Sequence, residues 1–157
     1  AGLVPLADKI RALASRTPNL AVVIDHFGFP RANPGAPPTP DLAFDDGAWT
    51  ALLDLADLPN VYVKLSALFR VSNAPPPHDD LEARIRQLLD AFGAGRLMVG
   101  SDFPYADLQP GGYKSQIDAV TALVLRLVPN DGHGGQAQAI LGGTAARLFK
   151  FRDDHWW

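Results

Sequence analysis

Cysteine is absent from the 157-residue chain, and methionine occurs once, at Met98. A protein without cysteine has no disulfide and no thiol nucleophile. This composition is compatible with a reducing cytoplasm, which is the location we predict. The chain also begins at Ala1 rather than at a methionine.

Long apolar runs and clusters of basic residues are missing as well. The longest apolar helical stretch, residues 120–128, contains Arg126 and is far too short to cross a bilayer. The formal net charge is −3, and no run of Lys or Arg could follow a phosphate backbone. We therefore expect no membrane span and no nucleic-acid partner, but a small-molecule substrate. Assembly into a homo-oligomer stays open.

Three strand-like runs end in polar or charged side chains. The first run, residues 20–24, shows no polar alternation, which is typical of strands buried on both faces of a parallel sheet. Pro104 prevents the third run from continuing, because proline removes a donor from the strand ladder. The runs are residues 20–24 followed by His26, residues 60–66 ending in Ser66 with Arg70 just beyond, and residues 96–101 leading to Asp102.

Between these runs the apolar residues follow a helical spacing. The alternation predicts parallel βαβ units with right-handed crossovers, and therefore an α/β fold. Asp45 or Asp46 can cap the second helix, and Gly93 can end the third. The apolar stripes are Leu3, Leu6, Ile10 and Leu13; Trp49, Leu52, Leu53 and Ala56; Leu81, Ile85, Leu88, Leu89 and Phe92; Ile117, Val120, Val124 and Leu127; and Ala137, Ile140, Leu141, Ala145 and Leu148.

Three strands alone make a narrow sheet with two exposed edges. A closed (β/α)8 barrel usually needs about 250 residues. We therefore expect residues 1–157 to form a single domain that is the carboxyl-terminal portion of a longer TIM barrel. In such a fold the carboxyl ends of the strands carry the active site, which brings His26 and Asp102 to one edge.

Four segments carry a resemblance to a known family. In chain order the sequence resembles the amidohydrolase 2 family of TIM-barrel hydrolases over nearly its whole length. Within that family it is most similar to the lactonase branch, which includes 2-pyrone-4,6-dicarboxylate lactonases and sugar lactonases. The segments are Val-Ile-Asp-His-Phe-Gly at 23–28, Asn-Val-Tyr-Val-Lys-Leu-Ser-Ala at 60–67, Val-Gly-Ser-Asp-Phe-Pro at 99–104, and Ile-Leu-Gly-Gly-Thr-Ala-Ala-Arg-Leu-Phe at 140–149.

The resemblance implies roles for several residues. His26 corresponds to the family's mid-barrel histidine and Asp102 to its aspartate on the last strand. Residues 65–72 are similar to the pyrone-dicarboxylate lactonase pattern, in which the arginine, here Arg70, binds a substrate carboxylate. Tyr105 stands where some lactonases carry histidine, and we assign it to substrate binding. Family members begin with a His-x-His pair on the first strand, which nothing in this chain matches.

The chemistry of lactone hydrolysis gives these residues independent support. Asp102 can deprotonate the attacking water and return the proton to the leaving oxygen. His26 can polarise the carbonyl, either as a hydrogen-bond donor or as a ligand to a Lewis-acid metal. Ser66 has no assignable general base and is read as a hydrogen-bond partner of the substrate. Arg70 could instead pair with Asp79 or Asp80 on the surface.

Metal dependence is open in this reading. A catalytic zinc normally has three protein ligands, and His26 with Asp102 supplies two. We expect that the protein requires no cofactor, or that it binds one divalent metal if the histidine pair exists upstream. Zinc is the metal we expect in that case. The remaining histidines, His78, His133 and His155, belong to predicted loops or the tail.

These observations predict an enzyme, an amidohydrolase-family hydrolase that opens the lactone ring of a small carboxylate- or hydroxyl-rich molecule. One alternative is a metal-dependent decarboxylase of the same broad family. The other is an inactive barrel fragment, or an assembly module whose sheet edges pair with another chain.

Overall fold

A computed structural model describes residues 3–30, 44–128 and 135–150 of the chain. In this part the strands form one parallel sheet in the order β1-β2-β3. Val22 pairs with Val61, and Val63 pairs with Leu97. The strands are β1 (Val22–Ile24), β2 (Val61–Leu65) and β3 (Leu97–Val99), each shorter than its predicted run.

Helices and short 3-10 turns connect the strands and follow the last one. This order of elements confirms the predicted α/β class with parallel strands. The helices are α1 (Val4–Arg16), α2 (Asp46–Leu53), α3 (Leu68–Val71), α4 (Glu82–Phe92), α5 (Gly112–Leu127), α6 (Gln136–Gln138) and α7 (Thr144–Phe149), with a π-helical turn at Ala139–Gly143. The 3-10 turns are His26–Gly28, Asp54–Asp57, Asp79–Leu81, Ala94–Arg96 and Tyr105–Leu108.

The beginning of α2 and the end of α4 lie at the residues that were predicted to cap these helices. Asp45 is the N-cap of α2, and its side chain accepts a hydrogen bond of 2.9 Å from the backbone N–H of Ala48. Gly93 follows α4 with a φ of 70°, a value that glycine adopts without steric cost. Among the predicted loop histidines, His133 and His155 lie outside the described residues.

The apolar stripe predicted for α1 is only partly right. Leu3 is buried, but Leu6 and Leu13 are 49% and 41% exposed. Ala14 is buried instead, at a spacing of 11 residues from Leu3, which is three helical turns. The helix therefore contacts the core along a narrower face than the leucine spacing indicated.

Burial on both faces, predicted for the first run, is only partly seen, because Val22 and Val23 of β1 are partly exposed, and along β2 burial alternates. Val61, Val63 and Leu65 are fully buried in the hydrophobic core, whereas Tyr62 and Lys64 are partly exposed. Side chains of a strand point alternately to its two faces, so one face of the sheet forms the core and the other is partly open. Lys64 lies on that open face.

No helix in the described ranges is both long and apolar enough to cross a membrane.

Candidate functional site

The backbone turns sharply where each strand ends. His26, Ala67 and Asp102 follow β1, β2 and β3, and each adopts a positive φ, of 51°, 53° and 67°. For residues other than glycine such a conformation costs about 1–3 kcal/mol, and it is found preferentially at functional sites. The turns aim the side chains of consecutive strand ends toward a shared space.

That space is a cavity of about 470 Å³ at the carboxyl ends of the strands. Gly100 lines this cavity. A Cβ atom at this position would lie only 3.1 Å from the Cβ of Ser66, which is a tight contact. Close approach of the segment after β3 to the end of β2 therefore depends on glycine at this position. The chemically active side chains that line the cavity are Asp25, His26, Lys64, Ser66 and Asp102.

Asp102 is held between two cationic or potentially cationic groups. Its side chain is only 11% exposed. Arg70 Nε donates a hydrogen bond of 2.7 Å to Oδ2, and His26 Nε2 lies 3.5 Å from Oδ1. Both oxygens of the carboxylate thus have a defined neighbour, which fixes the plane of the carboxyl group.

The surface pairing considered for Arg70 is not what the structure shows. Asp79 accepts a hydrogen bond from Arg126, and Asp80 accepts one from Ser72. Arg70 lies instead on Asp102, 32 residues away along the chain. The turn of α3 after β2 carries the guanidinium across to the end of β3.

Tyr105 supports the same guanidinium. The carbon at the centre of the Arg70 guanidinium lies 4.5 Å from the centroid of the Tyr105 ring and 5.4 Å from that of Phe69. Stacking on an aromatic face is favourable for arginine and restricts its orientation. Tyr105 is 51% exposed, so its ring also forms part of the rim of the site.

Ser66 is buried beneath His26. Its Oγ lies 2.8 Å from His26 Nδ1 and 3.1 Å from Asp25 Oδ1, and the residue is 1% exposed. The hydroxyl thus already has partners in the protein. Its assignment to substrate binding stays a prediction.

Asp25 and Lys64 complete the cluster and were not among the predicted site residues. Lys64 Nζ lies 3.2 Å from Asp25 Oδ2. Two signals in the sequence pointed to them. Asp25 directly precedes His26, and Lys64 lies two positions before Ser66, so an extended chain from β2 to Ser66 places both side chains on one face. The lysine therefore faces the cavity rather than the core.

The residues at hand do not by themselves build a metal centre. Over the described ranges, no group of three or more His, Cys, Asp or Glu side chains could hold a metal ion. His26 and Asp102 are close enough to share a ligand, but a zinc site normally takes three protein ligands. The Arg70 guanidinium on Asp102 adds a positive charge that opposes a cation there.

A parallel α/β fold with polar side chains at the strand ends defines the class of enzymes that bind substrate at the carboxyl edge of the sheet. Comparison with known families narrows this class. The amidohydrolase family matches residues 6–151 of the chain. The chain belongs to the amidohydrolase family, whose fold is a TIM barrel.

Lactonases are among the relatives. An L-fucono-1,5-lactonase from Burkholderia multivorans is 33% identical over 149 residues, which cover 89% of this chain and 46% of that protein. A Pseudomonas putida structure assigned as a 2-pyrone-4,6-dicarboxylic acid hydrolase is 28% identical, with a TM-score of 0.66 over 96% of this chain and 50% of that one. These similarities confirm the resemblance to the lactonase branch.

A further structural relative contains a metal. The crystal structure of a Burkholderia multivorans amidohydrolase with bound zinc has a TM-score of 0.68 and 29% identity, and covers 94% of this chain and 50% of that one. The present chain thus spans about half the length of the relatives it matches.

Proposed function

We propose that the protein hydrolyses a lactone, with Asp102 as the general base. The observation that supports this role is the position of the Asp102 carboxylate, nearly buried and held between Arg70 and His26. A general base must be oriented toward the water it activates, and these contacts orient it. The names of the relatives support a lactone as the class of substrate.

The roles of the side chains follow from the order of proton transfers. Asp102 takes a proton from the attacking water, and the ring carbonyl becomes a tetrahedral oxyanion. His26 lies beside this position and stabilises the negative charge when its Nε2 carries a proton. Asp102 then gives its proton to the leaving alkoxide, so the ring opens to a hydroxy acid and the carboxylate is regenerated.

Arg70 is the proposed recognition element for an anionic substrate. Its Nε contacts Asp102, while the guanidinium has two further nitrogens that can form a fork for a carboxylate. Tyr105 holds the guanidinium plane from one side. This arrangement favours a carboxylate-bearing lactone over a neutral sugar lactone, although relatives of both kinds are similar to this chain.

Zinc chemistry is not assigned to the described residues. His26 and Asp102 would be its ligands here, yet a third ligand is missing from the described ranges and Arg70 lies on Asp102. A metal would supply Lewis-acid polarisation of the carbonyl. The histidine pair that would complete such a site stays a prediction for residues upstream.

We further propose that residues 1–157 are one domain and form the carboxyl-terminal portion of a (β/α)8 barrel. Two observations support this: the chain spans about half the length of its relatives, and α1 leaves apolar side chains exposed. Leu6 and Leu13 are examples, each more than two-fifths exposed. The cytoplasmic location and a homo-oligomeric state stay predictions.

The test is replacement of Asp102 by asparagine, which keeps the shape and removes the base. We expect the Asp102→Asn variant to lose about 10²- to 10⁴-fold in kcat on lactones, with KM nearly unchanged. Hydrolysis of a pyrone dicarboxylate and of a sugar-acid lactone is followed by pH-stat titration.

A matched control is Asp118→Asn, which removes a carboxylate from the exposed face of α5, where it pairs with Lys114. Asp118→Asn should retain full activity. Activity of Asp102→Asn within twofold of the parent would overturn the proposed mechanism. A folded parent protein without activity on any lactone would instead favour the inactive fragment or assembly module.

A further inference from the structure

The hydroxyl of Ser66 lies at the centre of a hydrogen-bond cluster that joins the ends of β1 and β2. Its Oγ is 2.8 Å from His26 Nδ1, 3.3 Å from the backbone N of His26 and 3.1 Å from Asp25 Oδ1. A hydroxyl has one hydrogen to donate and two lone pairs that accept. The three contacts therefore use its full capacity, and only one assignment of hydrogens satisfies them all.

The directions of these bonds follow from the partners. The backbone N–H of His26 can only donate, and the ionised Asp25 carboxylate can only accept. Ser66 must then donate its hydrogen to Asp25 and accept from the backbone. The remaining lone pair faces His26 Nδ1, so this nitrogen carries a hydrogen. The reverse assignment would turn the serine lone pairs toward a carboxylate oxygen 3.1 Å away, which is repulsive.

Lys64 fixes the other end of the cluster. Its ammonium lies 3.2 Å from Asp25 Oδ2, while Ser66 contacts Oδ1. Each oxygen of Asp25 has a separate donor, which prevents rotation of the carboxyl group. The order of contacts is Lys64, Asp25, Ser66 and His26, and all four residues line the cavity.

We propose that Ser66 and Asp25 are positioning residues that hold neutral His26 in the tautomer with hydrogen on Nδ1, so that the lone pair of Nε2 faces Asp102. His26 Nε2 and Asp102 Oδ1, 3.5 Å apart, are then two acceptors side by side. A water molecule can donate one hydrogen to each of them, and its oxygen lone pairs then point away from both, toward the substrate. Neutral His26 thus orients the nucleophile. To stabilise the oxyanion by direct donation, it must carry a second proton, on Nε2.

The catalytic consequence rests on the proposed function, but the tautomer does not, because it can be measured without substrate. The measurement is a long-range ¹H–¹⁵N correlation spectrum of the histidine rings at pH 8. The His26 signals are identified by their loss in a His26→Gln variant. In the parent protein we expect the pattern of an imidazole protonated at Nδ1.

Three variants test the cluster. Ser66→Ala removes the acceptor of the Nδ1 hydrogen, and the tautomer preference should be lost; Ser66→Thr keeps a hydroxyl and should restore it. Asp25→Asn is equal in volume, but its amide can donate to Ser66 Oγ. The serine hydrogen then turns to Nδ1, and His26 should switch to the tautomer with hydrogen on Nε2.

Ser101→Ala serves as the matched control, because it removes a hydroxyl that lines the same cavity and accepts from the backbone N of Phe103. It should leave the His26 pattern unchanged. In lactone hydrolysis, Ser66→Ala should lower kcat about 10- to 100-fold with little change in KM, as is usual when the partner that orients a histidine is removed. Ser66→Thr should recover most of this loss.

The outcomes separate this inference from the proposed function. An Nε2-protonated His26 in the parent, or an unchanged pattern in both Ser66→Ala and Asp25→Asn, would overturn the positioning role even if lactones are hydrolysed. The expected tautomer pattern without lactone hydrolysis would leave the positioning role intact and contradict the proposed reaction.

Discussion

Asp102 shows how one carboxylate can be prepared for proton transfer by its neighbours. The Arg70 guanidinium contacts one oxygen and the His26 ring the other. At 11% exposure the side chain is largely shielded from bulk water, so its contacts are less screened than those of a surface pair. Removal of either neighbour should therefore affect the reaction as well as the binding of substrate.

Replacing Arg70 by methionine tests this dual role. We expect KM for a dicarboxylate lactone to rise about 10- to 100-fold, since a hydrogen bond to a charged group contributes about 1.5–3 kcal/mol. We also expect kcat to fall about tenfold for dicarboxylate and neutral lactones alike, because Asp102 loses its Nε donor. Steady-state kinetics on both substrate classes measures the two effects separately.

Tyr105→Phe is the control for Arg70→Met, because phenylalanine keeps the ring that stacks on the guanidinium. It should leave the ratio of KM for neutral and dicarboxylate lactones as in the parent, since the stacking face is preserved, and a change common to both substrates would report a contact of the Tyr105 hydroxyl. An equal rise of KM for neutral and dicarboxylate lactones in Arg70→Met would show that Arg70 does not select the carboxylate.

At the scale of elements, Asn60 joins α1 to the beginning of β2. Its side-chain amide donates to the backbone carbonyls of Ala14, Thr17 and Leu20, at 3.1, 3.1 and 2.8 Å. These carbonyls lie at the end of α1 and in the turn that leads to β1, where intrahelical partners run out. Asn60 itself is 8% exposed. The Thr17 carbonyl also accepts from the backbone N–H of Leu20 at 2.9 Å, so the amide matters most for the carbonyls of Ala14 and Leu20.

We predict that Asn60→Ala lowers the free energy of unfolding by about 2 kcal/mol, because buried carbonyls lose their donor. Asn60→Asp has nearly the same shape but cannot donate, and it should be destabilised at least as much. Urea unfolding followed by circular dichroism measures both variants. A decrease of less than about 0.5 kcal/mol in Asn60→Ala would show that other donors replace the amide.

The order of elements could be predicted from sequence, whereas the contacts between them could not. Apolar spacing and caps such as Asp45 and Gly93 are local signals, and they located the helices. The bond from Arg70 to Asp102 joins residues 32 positions apart, and its existence depends on the turn at α3. Leu6 shows a second limit of prediction from sequence. Helical spacing shows which apolar side chains share a face, but not which of them are buried against other elements.

The same limit applies to the site. His26 and Asp102 could be predicted because strand ends gather at one edge of a parallel sheet. The role of Asp25 depends on a hydrogen bond of 3.1 Å to Ser66, which neither residue type indicates alone. The positive φ angles that aim His26 and Asp102 into the cavity could not be predicted, because histidine and aspartate, although enriched in this conformation, adopt it at only a minority of positions.

At the scale of the whole molecule, ionisable side chains lie both on the partly exposed face of the sheet and in the buried interior. Lys64 and Asp25 on the open face are charged and reach solvent. His78 lies in a loop before the Asp79–Leu81 turn, yet it is 3% exposed. A buried histidine makes the stability of the fold depend on pH near neutrality.

Burial lowers the pKa of His78 below its ordinary value of 6.5, and the hydrogen bond to the Ala74 carbonyl and the charges of Asp80 and Asp79 only partly oppose this shift. Nδ1 donates to the carbonyl of Ala74 at 2.9 Å, and Nε2 is buried without a hydrogen-bond partner among the described residues. A second proton on the ring would therefore be an unsatisfied buried donor. Below pH 6.5 the unfolded chain binds this proton more readily than the folded protein does.

The free energy of unfolding should therefore fall as the pH is lowered from 6.5 toward the depressed pKa of His78, and no more of it should be lost below that value. The slope from this residue is at most about 1.4 kcal/mol per pH unit. His78→Asn is the matched variant, because its amide can still donate to Ala74 and asparagine tolerates the φ of 66°. Urea unfolding between pH 7.5 and 5.5 should show a flatter dependence in His78→Asn than in the parent. Identical pH dependence in both proteins would mean that His78 takes up its proton without cost, so that burial of the imidazole does not limit the stability of the fold.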